Sequence, residues 1–170
     1  MKVTLTHDGK SVELDLTNEQ LTALGLKEEK KTGYEKDKIY CYVTSDNSVV
    51  CIPDSGIPMD LNHHNHANYY TSRKVAEANA RADLLMRRLR RFAAENGGIP
   101  NVEDWTKEVA VEKHFIQYDH ANHRLRGEKN WQVSLAGVVF FLSQEARDKA
   151  MEIFHDELIW YFTEYEAMLR

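Results

Sequence analysis

Residues 71–96 read TSRKVAEANARADLLMRRLRRFAAEN and have the hydrophobic period of an amphipathic helix. Their apolar side chains recur at intervals of three and four residues: Val75, Ala78, Ala82, Leu85, Leu89 and Phe92. Thr71 or Ser72 can cap the start of this helix, and the pair Gly97-Gly98 follows its end. Glycine commonly ends helices because it adopts the left-handed conformation without a side-chain clash. The segment therefore predicts one long helix with a buried face.

The chain after this helix predicts a small sheet and a second long helix. Two or three strands are expected around residues 109–119, 130–136 and 137–142, and Ser143 then caps the last helix. The inward face of that helix holds apolar and aromatic residues at helical spacing: Ala146, Ala150, Phe154, Leu158, Tyr161, Tyr165 and Met168. An aromatic pair, a Ser or Thr cap and an alanine-rich helix occur at both 69–82 and 140–150. These segments are either two independent strand-to-helix junctions or a weak internal repeat.

The chain before residue 67 predicts two β-hairpins and a short helix. Apolar and polar residues alternate on both sides of Asp8-Gly9, a dipeptide that favours tight turns. Residues 38–52 show a second hairpin pattern, and residues 17–25 begin with a capping box typical of a short helix.

Residues 53–66 contain two prolines and one glycine, and we predict a linker there. The expected fold class is α+β. Residues 1–66 form an N-terminal module of β-hairpins with a short helix, and residues 67–170 form two long amphipathic helices packed on a small antiparallel sheet.

The two cysteines are predicted to remain reduced and buried. If the second hairpin turns at Asp46-Asn47, Cys41 opposes Ile52, and the two sulfur atoms lie on opposite faces of the hairpin. Only a shift of the register by one residue would bring Cys41 and Cys51 together.

Composition places the chain among folded globular proteins, since 42% of its 170 residues are hydrophobic and 29% are charged. No apolar run approaches the ~18 residues of a membrane span. The N-terminal residues have no hydrophobic signal-peptide core, so we expect a cytoplasmic protein that does not contact membranes.

Charge is distributed unevenly along the chain, whose net charge is −5. Residues 69–96 carry 7 basic and 3 acidic side chains, whereas residues 142–170 carry 3 basic and 7 acidic ones.

Arginine suits phosphates and carboxylates, so nucleic acid or an acidic protein surface could bind the basic helix. Carboxylates along the last helix could in turn imitate a row of phosphates. Alternatively, both are ordinary solvated faces that neutralise each other within the fold. The candidate partner-binding residues are Arg81, Arg87, Arg88, Arg91, Asp148, Glu152 and Asp156.

Catalytic and metal-binding patterns are weak. The clusters His63, His64, His66 and His120, His123 could hold a metal, but their spacing matches metal sites only weakly and exposed loop histidines explain them better. The sequence has no nucleophile elbow and no glycine-rich phosphate loop, and neither cysteine lies in a reactive context. We therefore expect a binding protein, with no enzyme activity, no metal and no cofactor. The wide apolar face of the last helix is also compatible with a homodimer.

Several motifs occur in an order that resembles a known module. These are YYTSRKVAE at 69–77, LRRFAAEN at 89–96, Asp104-Trp105, VVFFLSQEARDKA at 138–150 and LIWYF at 158–162. Residues 67–165 resemble a module of small accessory proteins of bacterial prophages, some of which are anti-CRISPR inhibitors. The resemblance implies a stoichiometric inhibitor that binds the type II CRISPR nuclease with its guide RNA in the bacterial host and impedes binding or cleavage of target DNA. The alternative is a phage accessory or regulatory protein that binds nucleic acid through its arginine-rich helix.

Overall fold

The computed structural model describes residues 2–7, 10–15, 17, 38–106 and 111–168. The chain divides into two compact units, Met1–Lys36 and Asp37–Arg170. The predicted class is confirmed at the level of a mixed α+β protein with antiparallel hairpins and several helices.

The first unit contains the predicted N-terminal hairpin. Strand β1 (Lys2–His7) pairs antiparallel with β2 (Lys10–Asp15), and His7 lies opposite Lys10 beside the turn. The turn residues Asp8-Gly9, and the helix expected after Thr17, lie outside the described residues.

The second unit contains two further hairpins and the helices. Its elements are β3 (Ile39–Val43), β4 (Val49–Pro53), α1 (Pro58–Asn65), α2 (Arg73–Glu95), α3 (Val102–Thr106), β5 (Lys113–Asp119), β6 (Arg124–Asn130), α4 (Gln144–Ile153), α5 (His155–Trp160), a π-helical turn (Tyr161–Tyr165) and α6 (Glu166–Met168). None of the helices in the described residues is both long and apolar enough to cross a membrane.

Helix α2 is the long helix predicted from the hydrophobic pattern, and it is covered on more than one side. Ser72 is its N-cap, and the backbone N–H of Gly98 returns to the carbonyl of Ala93 at its end. The predicted stripe divides between two clusters. Leu85 and Leu89 are buried with Ile116, Phe141, Ala150, Phe154 and Leu158, whereas Ala78 and Ala82 pack with Trp160. A second set of small residues, Ala76 and Ala80, is also buried, and α2 contacts both β3 and β4.

The last helix begins where predicted but is not continuous. Ser143 Oγ accepts a hydrogen bond from the backbone N–H of Ala146 at 3.1 Å, which confirms the cap. Phe154 ends α4 and begins α5 with non-helical backbone angles, and a π-helical turn follows α5. Of the predicted inward face, Ala146, Ala150, Phe154 and Leu158 are buried, whereas Tyr161, Tyr165 and Met168 are partly buried.

The segment predicted to be a linker folds as helix α1. Pro58 occupies its first turn, and the Asp60 carboxylate accepts a hydrogen bond from the N–H of Ile57, the N-cap residue. Proline is well suited to this position because its missing N–H has no partner in a first helical turn. The predicted boundary between residues 66 and 67 falls inside the second unit, since the backbone of Tyr70 pairs with that of Cys41 in β3.

Two of the predicted strands are wrong. Asp119 Oδ1 accepts hydrogen bonds from the N–H groups of Ala121 and Asn122, so the chain turns early and the partner strand starts at Arg124. Asn130 Oδ1 then accepts from two following N–H groups and ends that strand. Residues 131–136 and 137–142 therefore form no ladder beyond the single bridge between His114 and Phe141.

The two strand-to-helix junctions share one geometry. Tyr70 forms an isolated antiparallel bridge to Cys41, and Phe141 forms one to His114. In each case a serine N-cap follows the bridging aromatic residue by two positions and opens an alanine-rich helix. Two independent junctions and an internal repeat both account for this shared geometry.

The cysteine prediction is wrong, because the hairpin register is shifted by one residue. Asn47 adopts a left-handed conformation with φ of 69°, which adds one residue to the loop and pairs Val43 with Val49. A turn followed by a left-handed residue is a common form of the longer hairpin loop. Cys41 then lies directly opposite Cys51, and the two form a disulfide, which leaves no free cysteine in the chain.

Candidate functional site

The basic face of α2 lies partly against the C-terminal helices. Arg88 Nη1 forms an ion pair with Glu157, at 2.7 Å from Oε1 and 2.8 Å from Oε2. The guanidinium carbon of Arg81 lies 3.8 Å from the centroid of the Trp160 ring, a cation–π contact. These two arginines are seven residues apart and share a face of α2, and Glu157 neutralises Arg88 within the fold.

The other two candidate arginines point elsewhere. Arg87 Nη2 donates to Asn47 Oδ1 in the β3–β4 loop at 2.5 Å. Arg91 pairs with Glu95 one turn further along the same helix, at 2.8 Å, and its side chain is 80% exposed. The structure therefore brings Arg81 and Arg88 together on one face of the helix but does not combine all four arginines into one patch.

The three candidate carboxylates lie on the exposed side of α4 and α5. Asp148 accepts from Arg147 Nη2 at 2.6 Å yet its side chain remains 52% exposed. Glu152 is exposed one turn later, and Asp156 is fully exposed beside His155 at the start of α5. With Glu145, these residues form what we call the carboxylate row, and Lys149 lies beside it.

Arg147 is buried next to the carboxylate row and forms an ion pair with Asp148. Its side chain is only 10% exposed and its guanidinium lies over β6, where Nη1 donates to the carbonyl of Glu128 at 3.4 Å. A side chain at Gly127 would collide with it, because a Cβ atom there would lie 2.3 Å from Arg147 Cζ. The glycine thus admits a buried arginine that holds Asp148 in place.

A buried polar centre that the sequence did not reveal joins β3 to α1. Tyr40 is completely buried, and its hydroxyl donates to Asp60 Oδ1 at 2.8 Å. His63 Nδ1 lies 2.8 Å from the same hydroxyl, which leaves this nitrogen as the donor of that second bond. The Tyr40 ring stacks on Tyr69 at 4.2 Å, and Tyr69 donates to buried Asp54.

The charges of this centre are fixed by its burial and hydrogen bonds. Burial, the hydrogen bond to Asp60 and the neighbouring carboxylates raise the pKa of Tyr40, so the phenol stays neutral. Burial alone would raise the pKa of Asp60, but bonds from Tyr40 and from the N–H groups of Ser55 and Ile57 outweigh it and hold the pKa below its usual value. A neutral phenol and a fully bonded carboxylate hold α1 against the hairpin. In the sequence, the feature that could have indicated helix α1 is Pro58-Met-Asp60, which places a proline and an acidic residue in a first helical turn.

The histidines do not assemble into a metal centre among the described residues, where no group of three or more potential ligands comes together. His63 bonds Tyr40, and His66 bonds the carbonyl of Asn62 at 2.8 Å. His120 lies against Tyr118, and His123 occupies the turn with φ of 51°.

A second buried polar centre lies at the start of β5. Lys113 is fully buried, and its ammonium donates to the carbonyls of Asp104 and Trp131. The next residue, His114, is 7% exposed, and its Nδ1 has no hydrogen-bond partner among the described residues. Burial, followed by the nearby Arg147 guanidinium, lowers the pKa of His114 and favours the neutral ring.

Comparison with known proteins gave no match to any family model, to curated proteins or to solved structures. The candidate surfaces must therefore be interpreted from their own chemistry and from the sequence motifs.

Proposed function

We propose that this protein is a phage-encoded anti-CRISPR protein. It binds the type II RNA-guided DNA nuclease, loaded with guide RNA, in the cytoplasm of the bacterial host and impedes target-DNA binding or cleavage. The carboxylate row is the observation that carries the proposal, since Glu152 and Asp156 are exposed and Asp148 is half exposed. The motifs of residues 67–165, which resemble those of prophage accessory proteins, are consistent with it.

The proposed partner has the complementary charge. The channel that holds the guide–target heteroduplex in such nucleases is positively charged. Residues four apart on a helix lie ~6 Å from each other on one face, so Asp148 and Glu152 present neighbouring negative charges. A row of exposed carboxylates can occupy a groove that otherwise holds a phosphate backbone.

The alternative, a nucleic-acid-binding accessory or regulatory protein, is supported by the basic charge of residues 69–96. Asp148 and Asp156 of the carboxylate row have partners within the chain, and Arg81, Arg87, Arg88 and Arg91 each have one as well. Binding phosphates through them would first require those contacts to be exchanged.

The direct test is a pull-down from a bacterial lysate containing the nuclease, with and without guide RNA. We expect recovery of the nuclease with guide RNA, and inhibition of target cleavage at equimolar ratio. Recovery of DNA without the nuclease, with affinity that falls steeply as salt is raised, would instead establish the nucleic-acid alternative.

Two sets of variants then identify the surface. Neutralising Asp148, Glu152 and Asp156 to their amides should weaken inhibition, whereas the matched variant Glu164→Gln, on an exposed residue outside the row, should inhibit like the wild type. Reversing Arg81, Arg87, Arg88 and Arg91 to glutamate tests the basic helix. If both sets inhibit fully, neither surface is the contact.

A further inference from the structure

Helix α2 carries six arginines, and one of them differs from the rest. Five have an intramolecular partner: Arg73 with Glu77, Arg81 with Trp160, Arg87 with Asn47, Arg88 with Glu157 and Arg91 with Glu95. Arg90 is exposed and makes no ion pair, hydrogen bond or ring contact with any residue that the structure describes. Its charge is available to another molecule.

Arg90 lies at an apolar cavity of about 210 Å³, which we call the Arg90 pocket. The segment after α2 and the segment before α4 form its other walls, with the side chains Ile99, Pro100, Trp105, Ser134, Val139 and Phe140. The lining thus combines apolar side chains with one hydroxyl and one cation that has no partner among the described residues. This is the composition of a binding site, in which a few polar groups orient an otherwise apolar occupant.

The base of the pocket is held in place by buried contacts. The Trp105 ring packs edge-on against Phe140 with 5.1 Å between the ring centroids. On another side Lys113 Nζ lies 4.5 Å from the Trp105 ring centroid while it donates to the carbonyl of Trp131. A wall fixed in this way loses little freedom when a ligand binds, which favours affinity.

Exposed apolar side chains occur in both segments that line the pocket. Ile99 and Val102 are 48% and 80% exposed, and Val133 and Leu135, on the opposite segment, are 53% and 41% exposed. Residues 131–137 are all exposed and belong to no strand ladder. Ile99 lines the pocket itself, and Val133 and Leu135 flank the lining residue Ser134 in the sequence.

We propose that the Arg90 pocket is a docking site for a partner protein, which inserts one apolar side chain while Arg90 binds a carboxylate next to that side chain. The volume favours a single side chain, because pockets for drug-sized ligands enclose about 300–1,000 Å³. The unpaired guanidinium selects an acidic neighbour, since arginine binds carboxylates through paired hydrogen bonds. The assignment rests on the proposed function only in taking the partner to be a protein.

The pocket can be tested with N-acetylphenylalanine, which carries an apolar side chain and a carboxylate, against its uncharged amide. Binding to the full chain is followed by NMR through the backbone amides and the Trp105 indole N–H. We expect the acid to bind about tenfold more tightly than the amide, as for one hydrogen-bonded charge pair. Arg90→Gln should remove that preference and Arg73→Gln, on a paired arginine of the same helix, should retain it. Equal binding of acid and amide, or shifts unaffected by Arg90→Gln, would overturn the proposal.

A cleavage assay with the same variants tests whether the Arg90 pocket contributes to the proposed inhibition of the nuclease. Loss of inhibition by Arg90→Gln, with an unchanged NMR fingerprint elsewhere, supports the docking site on the nuclease. Wild-type inhibition by Arg90→Gln overturns it. If the wild type itself fails to inhibit while the acid still binds through Arg90, the anti-CRISPR function fails and the pocket stands as a site for a different protein.

Discussion

Lys113 Nζ donates a hydrogen bond to the carbonyl oxygen of Trp131 at 2.8 Å, and it donates another to the carbonyl of Asp104, although the side chain is fully buried. One ammonium thus connects β5 to α3 and to the segment that follows β6. Removing this buried donor leaves the two partly buried carbonyls without their protein partner.

We expect Lys113→Met to lower the free energy of unfolding by about 3 kcal/mol, because methionine cannot make the two hydrogen bonds of the ammonium and leaves both carbonyls without this donor. Urea denaturation followed by tryptophan fluorescence measures it. Lys129→Met is the matched control on the neighbouring strand, where the side chain is 49% exposed and pairs with Glu112. Its effect should stay within about 1 kcal/mol, as for other surface ion pairs. Equal effects of the two substitutions would contradict the role assigned to Lys113.

The carboxylate of Asp60 makes stability depend on pH in a definite direction. Its pKa is lower in the folded protein than in the unfolded chain, so the ionised form stabilises the fold above pH ~4. That contribution is lost as the pH falls through the folded-state pKa. We therefore expect the wild type to lose stability below pH ~4 more steeply than Asp60→Asn does.

Urea midpoints between neutral pH and pH ~2.5 test this difference. The asparagine variant should be less stable at neutral pH, and the two curves should converge in acid. Asp46 and Asp119, whose pKa values are also lowered by local hydrogen bonds, are present in both proteins and cancel in the comparison. Parallel curves would show that Asp60 does not titrate with folding.

Periodicity predicted the parts of the fold that depend on local sequence. The start and end of α2, the Ser143 cap and the inward face of the last helix follow from spacing and capping residues. Helix α1 was missed because a long-range bond between Tyr40 and Asp60 stabilises a segment whose prolines and glycine suggest a loop. The hairpin register was missed because it depends on one left-handed residue, Asn47.

The sequence predicted which charged residues lie on α2, but it did not predict which of them have partners within the fold. Counting arginines on α2 identified a basic helix. Whether each arginine is available depends on residues far away in the chain, such as Glu157, which lies 69 positions beyond Arg88. Arg90 differs from the other five arginines of α2 only in lacking a partner among the described residues, and the sequence alone does not show this difference.

Gly127 and Arg147 should be energetically coupled. Alanine at position 127 would place Cβ within 2.3 Å of the buried guanidinium, which must then move away from Asp148. We expect Gly127→Ala to destabilise the protein by about 1–3 kcal/mol, as overpacking does elsewhere.

In an Arg147→Ala background the clash is absent, so the same glycine substitution should be close to neutral. A double-mutant cycle from urea denaturation measures this coupling. Additive effects of the two substitutions would show that the guanidinium does not lie against Gly127.

The disulfide between Cys41 and Cys51 should contribute to stability through the loop it closes. The two residues are 10 positions apart, and closing a loop of that size in the unfolded chain stabilises the fold by about 3 kcal/mol in the chain-entropy model. We expect a thiol reductant to lower the melting temperature of the wild type but not that of the double variant Cys41→Ser, Cys51→Ser. Mass spectrometry after alkylation without reduction counts the free thiols directly. Two alkylated cysteines in the folded, air-oxidised protein would contradict the disulfide and support the reduced thiols expected from the sequence.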